Sequence, residues 1–249
     1  MCHLCAMSEF QYVIIGRGNL AWHLQRMLNS SGISTSVFKS DWILSGFSSD
    51  DYKSMDHNNC IVFLAVRDDG IESIAGRFNN ALLVHCSGSK SLNILPRNRG
   101  AVLWPIQTFI KGVEIPYGNI PFILECESSD LRFELLDRFS KISSFVQCMD
   151  SVSRMKVHLA AVLSQNFSNR LIAEADGILK GLDLDYKILL PLMEGALLKL
   201  SSLHPLNAQT GPAVRGDFEV LNSHLKMCSG DNDLQEIYRL ISSRINPSF

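Results

Sequence analysis

An apolar run, Gln11-Tyr12-Val13-Ile14-Ile15, passes directly into Gly16-Arg17-Gly18-Asn19-Leu20-Ala21, which opens a stretch of helical spacing from Leu20 to Asn29. Strand, glycine turn and helix in immediate succession constrain a fold far more than any one of them alone. Gly16 permits the tight turn, Gly18 lets the backbone approach a ligand, and Ala21 is small enough for the helix to pack on the strand. The helix N-terminus then presents free N–H groups, which suit a pyrophosphate. The other reading is a glycine-rich turn that holds nothing. The helix is expected to end near Ser31-Gly32, where glycine can adopt the left-handed cap.

Short apolar runs rich in Val, Ile, Leu and Phe recur through the first 150 residues, at Tyr12 to Ile15, Thr35 to Phe38, Cys60 to Val66, Ala81 to His85, Val102 to Trp104 and Pro121 to Glu125. Alternating with polar or helical stretches, they predict an α/β Rossmann domain with a mostly parallel, doubly wound sheet over residues 1–150. After Asp150 the character changes. Ser151 to Lys180 reads as one long helix ending at Gly181, with further helices at Leu184 to Leu203 and Leu234 to Ile245. Pro191 implies a kink or a late helix start. The second domain, residues 151–249, is therefore expected to be all-α, for substrate binding or dimerisation.

The end of the second strand discriminates between nucleotides. NAD-binding chains close it with an acid that bonds the ribose hydroxyls. Here Lys39 and Ser40 stand at that place, and a cation with a hydroxyl suits the 2′-phosphate of NADP; Asp41 lies nearby, so a shift of register would return an acid. Ligands of open α/β sheets lie at the C-terminal strand ends. That rule adds Val66, Arg67 and Ser87, from Ala65-Val66-Arg67-Asp68-Asp69 and His85-Cys86-Ser87-Gly88-Ser89, to the cofactor residues Gly16, Arg17, Gly18, Asn19, Leu20, Lys39 and Ser40. A plain polar strand-to-helix turn is the alternative for Ser87.

Val157 to Leu171 is apolar nearly all round, which predicts burial by the other domain or by a second subunit. At about 100° per residue, His158, Gln165 and Asn169 fall within roughly 20° of one line, with Asn166 beside them. Such a stripe either faces a nicotinamide or braces a domain interface. In the first case His158 is the proton donor, since histidine exchanges protons near neutral pH. Asn166 and Asn169 join it as catalytic candidates, and Gln165 would meet the substrate. In Thr210-Gly211-Pro212-Ala213-Val214-Arg215-Gly216-Asp217, Arg215 could clamp an anionic substrate and Asp217 could cap the helix running to Lys226.

Net charge is −2 and no stretch collects Lys or Arg, so no nucleic-acid partner is expected. No apolar run approaches the roughly 20 residues of a membrane span. Seven scattered cysteines, an odd number, fit reduced thiols of a cytoplasmic protein, and no secretory signal is read at MCHLCAMSEF. Cys2-His3-Leu4-Cys5 has zinc-like spacing but lacks a second pair of ligands, so no metal is expected.

The segments GRGNLAWHL, AVRDDGI, HCSGS, WPIQTF, VHLAAVLSQNFSNRL and TGPAVRGD, in that order, resemble a bacterial family of NADP oxidoreductases. It joins a Rossmann-like domain to a C-terminal helical domain of unknown function, and is similar to pyrroline-5-carboxylate reductase, ketopantoate reductase and the 6-phosphogluconate dehydrogenase group. The resemblance implies a homodimer formed through the helices and a small-molecule substrate, without naming one. Two departures matter. The family usually has His-Pro where this chain has Trp104-Pro105. Related hydroxyacid dehydrogenases place Lys and Asn one helical turn apart, whereas His158 is followed by Val162 at that spacing. The expectation is an NADP(H)-dependent reductase of a keto or imine compound, against an NADP(H)-binding sensor without hydride transfer.

Overall fold

A computed structural model describes residues 10–44 and 54–249. It comprises two compact units, Met1–Leu163 and Ser164–Phe249. The Cys2/Cys5 segment lies outside the described residues.

The first unit is built on strands β1 (Gln11–Ile15), β2 (Thr35–Phe38), β3 (Cys60–Leu64), β4 (Leu82–His85), β5 (Gly100–Pro105), β6 (Phe122–Cys126) and β7 (Val146–Cys148). They form a 7-stranded sheet in the order β2-β1-β3-β4-β5-β6-β7. The pairs β2-β1, β1-β3, β3-β4 and β4-β5 are parallel, β5-β6 is antiparallel, and β6-β7 is parallel again. Chain order reverses between β1 and β3, the switch point at which doubly wound sheets bind ligands. β7 was not legible from the sequence because its three residues are half-buried or exposed and carry no apolar run.

Both faces of the sheet are covered, which explains why its strands read as continuous apolar runs. Tyr12, Ile14, Ile61 and Phe63 pack with Ala21, Leu24 and Leu28 of α1 (Asn19–Ser30) and with Leu131, Leu135 and Phe139 of α4 (Ser129–Ser140). Val13, Ile15, Val62 and Leu64 face the other way, against Ile43 of α2 (Ser40–Leu44) and Ile71 and Ile74 of α3 (Ile71–Ala75). Helix α5 (Ser151–Ala161) also belongs to this unit, with Val157 and Ala161 packed on the second layer.

The long helix expected from Ser151 to Lys180 is not uniform. A π turn, Val162–Asn166, separates α5 from α6 (Phe167–Lys180). A π turn takes one residue more than an α turn, so residues beyond it are rotated by about 100° relative to even α spacing. The single line drawn through His158, Gln165 and Asn169 assumed one even α-helix, which the π turn interrupts.

The second unit continues with α7 (Leu190–Leu200), α8 (Pro205–Ala208), α9 (Pro212–Arg215), α10 (Phe218–Met227) and α11 (Asn232–Ile245). Pro191 falls in the first turn of α7, where its missing N–H costs nothing, so the late start is what occurs. Only Ala213, Leu221 and Ser242 are buried among the described residues of this unit. Phe167 and Leu171 are exposed in the chain, and Leu159 and Leu163 at the end of the first unit are as well. Neither unit by itself buries this stretch beyond Val157 and Ala161, and its expected cover was the other domain or a second subunit. No helix among the described residues is long and apolar enough to cross a membrane.

Candidate functional site

Backbone geometry dictates the first turn. Gly16 has φ +135, and a Cβ there would lie 2.1 Å from the carbonyl oxygen of Ala65. Its N–H donates to Phe38 O (2.8 Å), and Ala65 N–H donates to Ile15 O (2.9 Å), so the turn is pinned to both neighbouring strands. Gly18 differs: φ is an ordinary −73 and, among the described residues, nothing lies within 4 Å of a Cβ built there. The chain's own packing places no demand for glycine at position 18. Moreover, α1 receives no side-chain cap bond at its N-terminus and has no acid in its first turn. Free N–H groups, no competing carboxylate and room for close approach are the conditions under which a helix N-terminus accepts a pyrophosphate. Arg17 and Asn19 are exposed beside this turn, and Leu20 is half-buried against the core.

Pairing of Ile15 with Phe38 makes Lys39 the first residue beyond β2, with Ser40 and Asp41 in the first turn of α2. Lys39 is exposed. Val66 and Arg67 follow β3, Val66 packed against the core and Arg67 exposed near Asp69 at 3.5 Å.

The loop after β4 is held from three directions. Asp68 accepts hydrogen bonds from Ser87 Oγ (2.9 Å) and Ser89 Oγ (2.7 Å), which ties the loops after β3 and β4 together. His85 is fully buried, and its Nδ1 accepts from Ser87 N–H (3.2 Å) while Nε2 faces Ser91 O at 3.4 Å. Burial, with Arg154 adding to it, lowers its pKa to about 4, so the ring is neutral at pH 7 and serves the loop as a fixed strut. The third hold is Arg154 of α5, only 1% exposed. Its guanidinium donates to the carbonyls of Ser87 and Gly88 (both 2.9 Å) and Lys90 (2.6 Å), and pairs with Glu125 of β6 at 2.9 Å.

His158, one turn further along α5, is half-buried with its ring 5.5 Å from that of Trp104. Gly88 lies beneath both: a Cβ there would come within 2.5 Å of His158 Cδ2 and 2.7 Å of Trp104 Cε2. Trp104 thus fills the space between the loop and His158.

The remaining candidates lie in the second unit. Gln165 and Asn166 are exposed on the π turn, and Asn169 is exposed on α6. Arg215 closes its Nε and Nη2 on Asp217 Oδ2 (2.9 and 2.8 Å). Asp217 stands at the N-cap of α10 and makes no side-chain cap bond, and its Oδ2 is engaged by Arg215. Sequence patterns gave no sign of Asp68 as a loop tie or Arg154 as a buried clamp, since both residue types are ordinarily solvent-facing.

The chain is similar in structure to a candidate NADP oxidoreductase from Bacteroides fragilis, at 28% identity over 96% of this chain and 98% of that one, with a TM-score of 0.81. It shares its fold with the imine reductase of Myxococcus stipitatus, solved with NADP+ (16% identity, 96% and 93% covered, TM-score 0.56). The same holds for the reductive aminase of Aspergillus terreus, solved with NADPH and ethyl-5-oxohexanoate (10% identity, 95% and 93% covered, TM-score 0.68). No curated protein matches the chain. A family model described as a domain of unknown function, DUF2520, matches residues 120–245, just over half of the sequence, and the chain belongs to that family.

Proposed function

We propose that the protein is an NADP(H)-dependent oxidoreductase acting on a small keto or imine compound. The observation that carries this reading is the pairing of a Gly16 turn locked by Ala65 with an open, uncapped helix N-terminus at Gly18. Backbone N–H groups from Gly18 to Leu20 hold the pyrophosphate beside Arg17, and Lys39 and Ser40 favour a 2′-phosphate. Val66, Arg67 and Ser87 line the cleft at the strand ends. NADPH, when bound, supplies the hydride. His158 supplies the proton to the developing alkoxide or amine; its ring nitrogens make no hydrogen bond to protein among the described residues, so they are free to meet a substrate. The fold shared with an imine reductase and a reductive aminase is consistent with that chemistry.

A titration of NADPH and NADH into wild type and Lys39→Ala tests the cofactor. NADPH should bind more tightly than NADH, and Lys39→Ala should remove roughly tenfold of that preference. Equal binding of both, unchanged in the variant, rejects the 2′-phosphate reading. Nicotinamide absorbance then follows keto acids and imines, with His158→Ala expected to abolish most turnover of any substrate found. One feature favours a second reading, a dinucleotide-binding sensor: Trp104 packs against His158 where the family resemblance calls for histidine. Tight NADPH binding without turnover of any keto or imine compound would support the sensor.

The second unit supports a homodimer. It exposes Leu192, Leu197, Leu198, Leu206 and Met227, each at least two-thirds accessible, while burying almost nothing of its own. So much apolar surface is costly to leave in water. Sedimentation should give twice the 27.8 kDa chain mass; a monomer at micromolar concentration rejects the pairing.

A further inference from the structure

The segment between β5 and β6 is strapped across α1 at the glycine loop. His23 of α1 is fully buried, with Nε2 3.0 Å from Ile110 O and Nδ1 3.1 Å from the Tyr117 hydroxyl. A carbonyl can only accept, so Nε2 carries the proton and Nδ1 receives the tyrosine O–H. Phe109 packs on the same imidazole at 4.7 Å between ring centroids. Further along, Asn19 Oδ1 accepts from Lys111 N–H (3.1 Å), and Arg26 of α1 pairs with Glu114. The strap is therefore fastened to the first two turns of α1 by a buried ring, an amide and an ion pair.

Its consequence is the placement of Lys111. Lys111 lines a cavity of about 280 Å³ together with Gly16, Arg17, Trp22, Gln25 and Val37. Among the described residues no carboxylate borders the cavity, and neither Arg17 nor Lys111 forms an ion pair. Two unneutralised cations around one concavity beside a phosphate-type loop repel each other unless an anion joins them.

We propose that Lys111 is a phosphate-binding residue of the dinucleotide site, delivered by the strap and acting with Arg17 on one phosphate group of the nucleotide. The proposal rests on the reading that the glycine loop holds NADP(H).

Equilibrium titration of NADPH and NADH, followed by nicotinamide fluorescence at two ionic strengths, tests it with wild type, Lys111→Ala and Lys111→Arg. Lys111→Ala should weaken NADPH binding roughly tenfold, by less at high salt, while Lys111→Arg stays near wild type. A loss confined to NADPH assigns the lysine to the 2′-phosphate, and an equal loss for NADH assigns it to the pyrophosphate; either supports the proposal. Wild-type affinity for both nucleotides in a folded Lys111→Ala protein overturns it. If wild type binds neither nucleotide, the cofactor reading itself fails and the proposal falls with it, a result separate from the variant's.

Discussion

Arg154→Met should lower the unfolding free energy by about 3–5 kcal/mol, the cost of removing one partner from a buried ion pair. The methionine stem can fill much of the volume, so the loss would come from polar groups. Glu125 would keep the Ser151 hydroxyl, shared between its two oxygens at 2.8 and 2.9 Å, but lose its counter-charge, and the carbonyls of Ser87, Gly88 and Lys90 would lose their donors. Denaturant unfolding monitored on the tryptophans measures this directly. Arg154→Lys should recover only part of the loss, because an ammonium cannot span three carbonyls and a carboxylate at once.

The same protein should show a linked pH effect. His85 has a pKa of about 4 when folded against 6.5 when free. The unfolded chain therefore binds more protons between those values. The stability that neutral His85 contributes is fully present above pH 6.5 and is lost as pH falls through 4, to the extent of about 3 kcal/mol. Burial is the main cause and Arg154 the next, so Arg154→Met should flatten the acid slope as well as lower the plateau. Wild-type stability at neutral pH, with the slope intact, would rule out the clamp.

What could be read from the sequence was what repeats locally. Ala21, Leu24 and Leu28 fall at helical spacing, and the runs at β1 and β3 are apolar without interruption because both of their faces are covered. The turn at Gly16 follows from its residue type and its neighbours. Contacts across long separations left no local trace. Arg154 reaches its loop partners 64 to 67 residues away, and Lys111 meets Asn19 across 92. A periodicity argument assumes a uniform helix, so it could not foresee the π turn at Val162–Asn166. The acid at Asp217 was read as a cap because its position is right; the structure pairs it with the Arg215 guanidinium and shows no cap bond.

The two glycines of the loop should respond to the same substitution in opposite ways. Gly16→Ala places a methyl group 2.1 Å from Ala65 O at a φ of +135, which L-residues rarely adopt. Relief by movement is barred, since Gly16 N–H is bonded to Phe38 and Ala65 N–H to Ile15 across adjacent strands. A loss of at least about 3 kcal/mol is expected, in the range of severe backbone strain combined with overpacking. Gly18→Ala meets nothing within 4 Å among the described residues and keeps φ −73. Its stability should stay within about 1 kcal/mol of wild type, the scale of an altered N-cap. Its affinity for NADPH should nevertheless fall at least tenfold, because the methyl group would occupy the space a pyrophosphate needs. Thermal melts and nucleotide titrations on both variants separate the two demands. A Gly18→Ala protein that binds NADPH as wild type does would mean that nothing approaches the backbone there, and the loop would be only a turn.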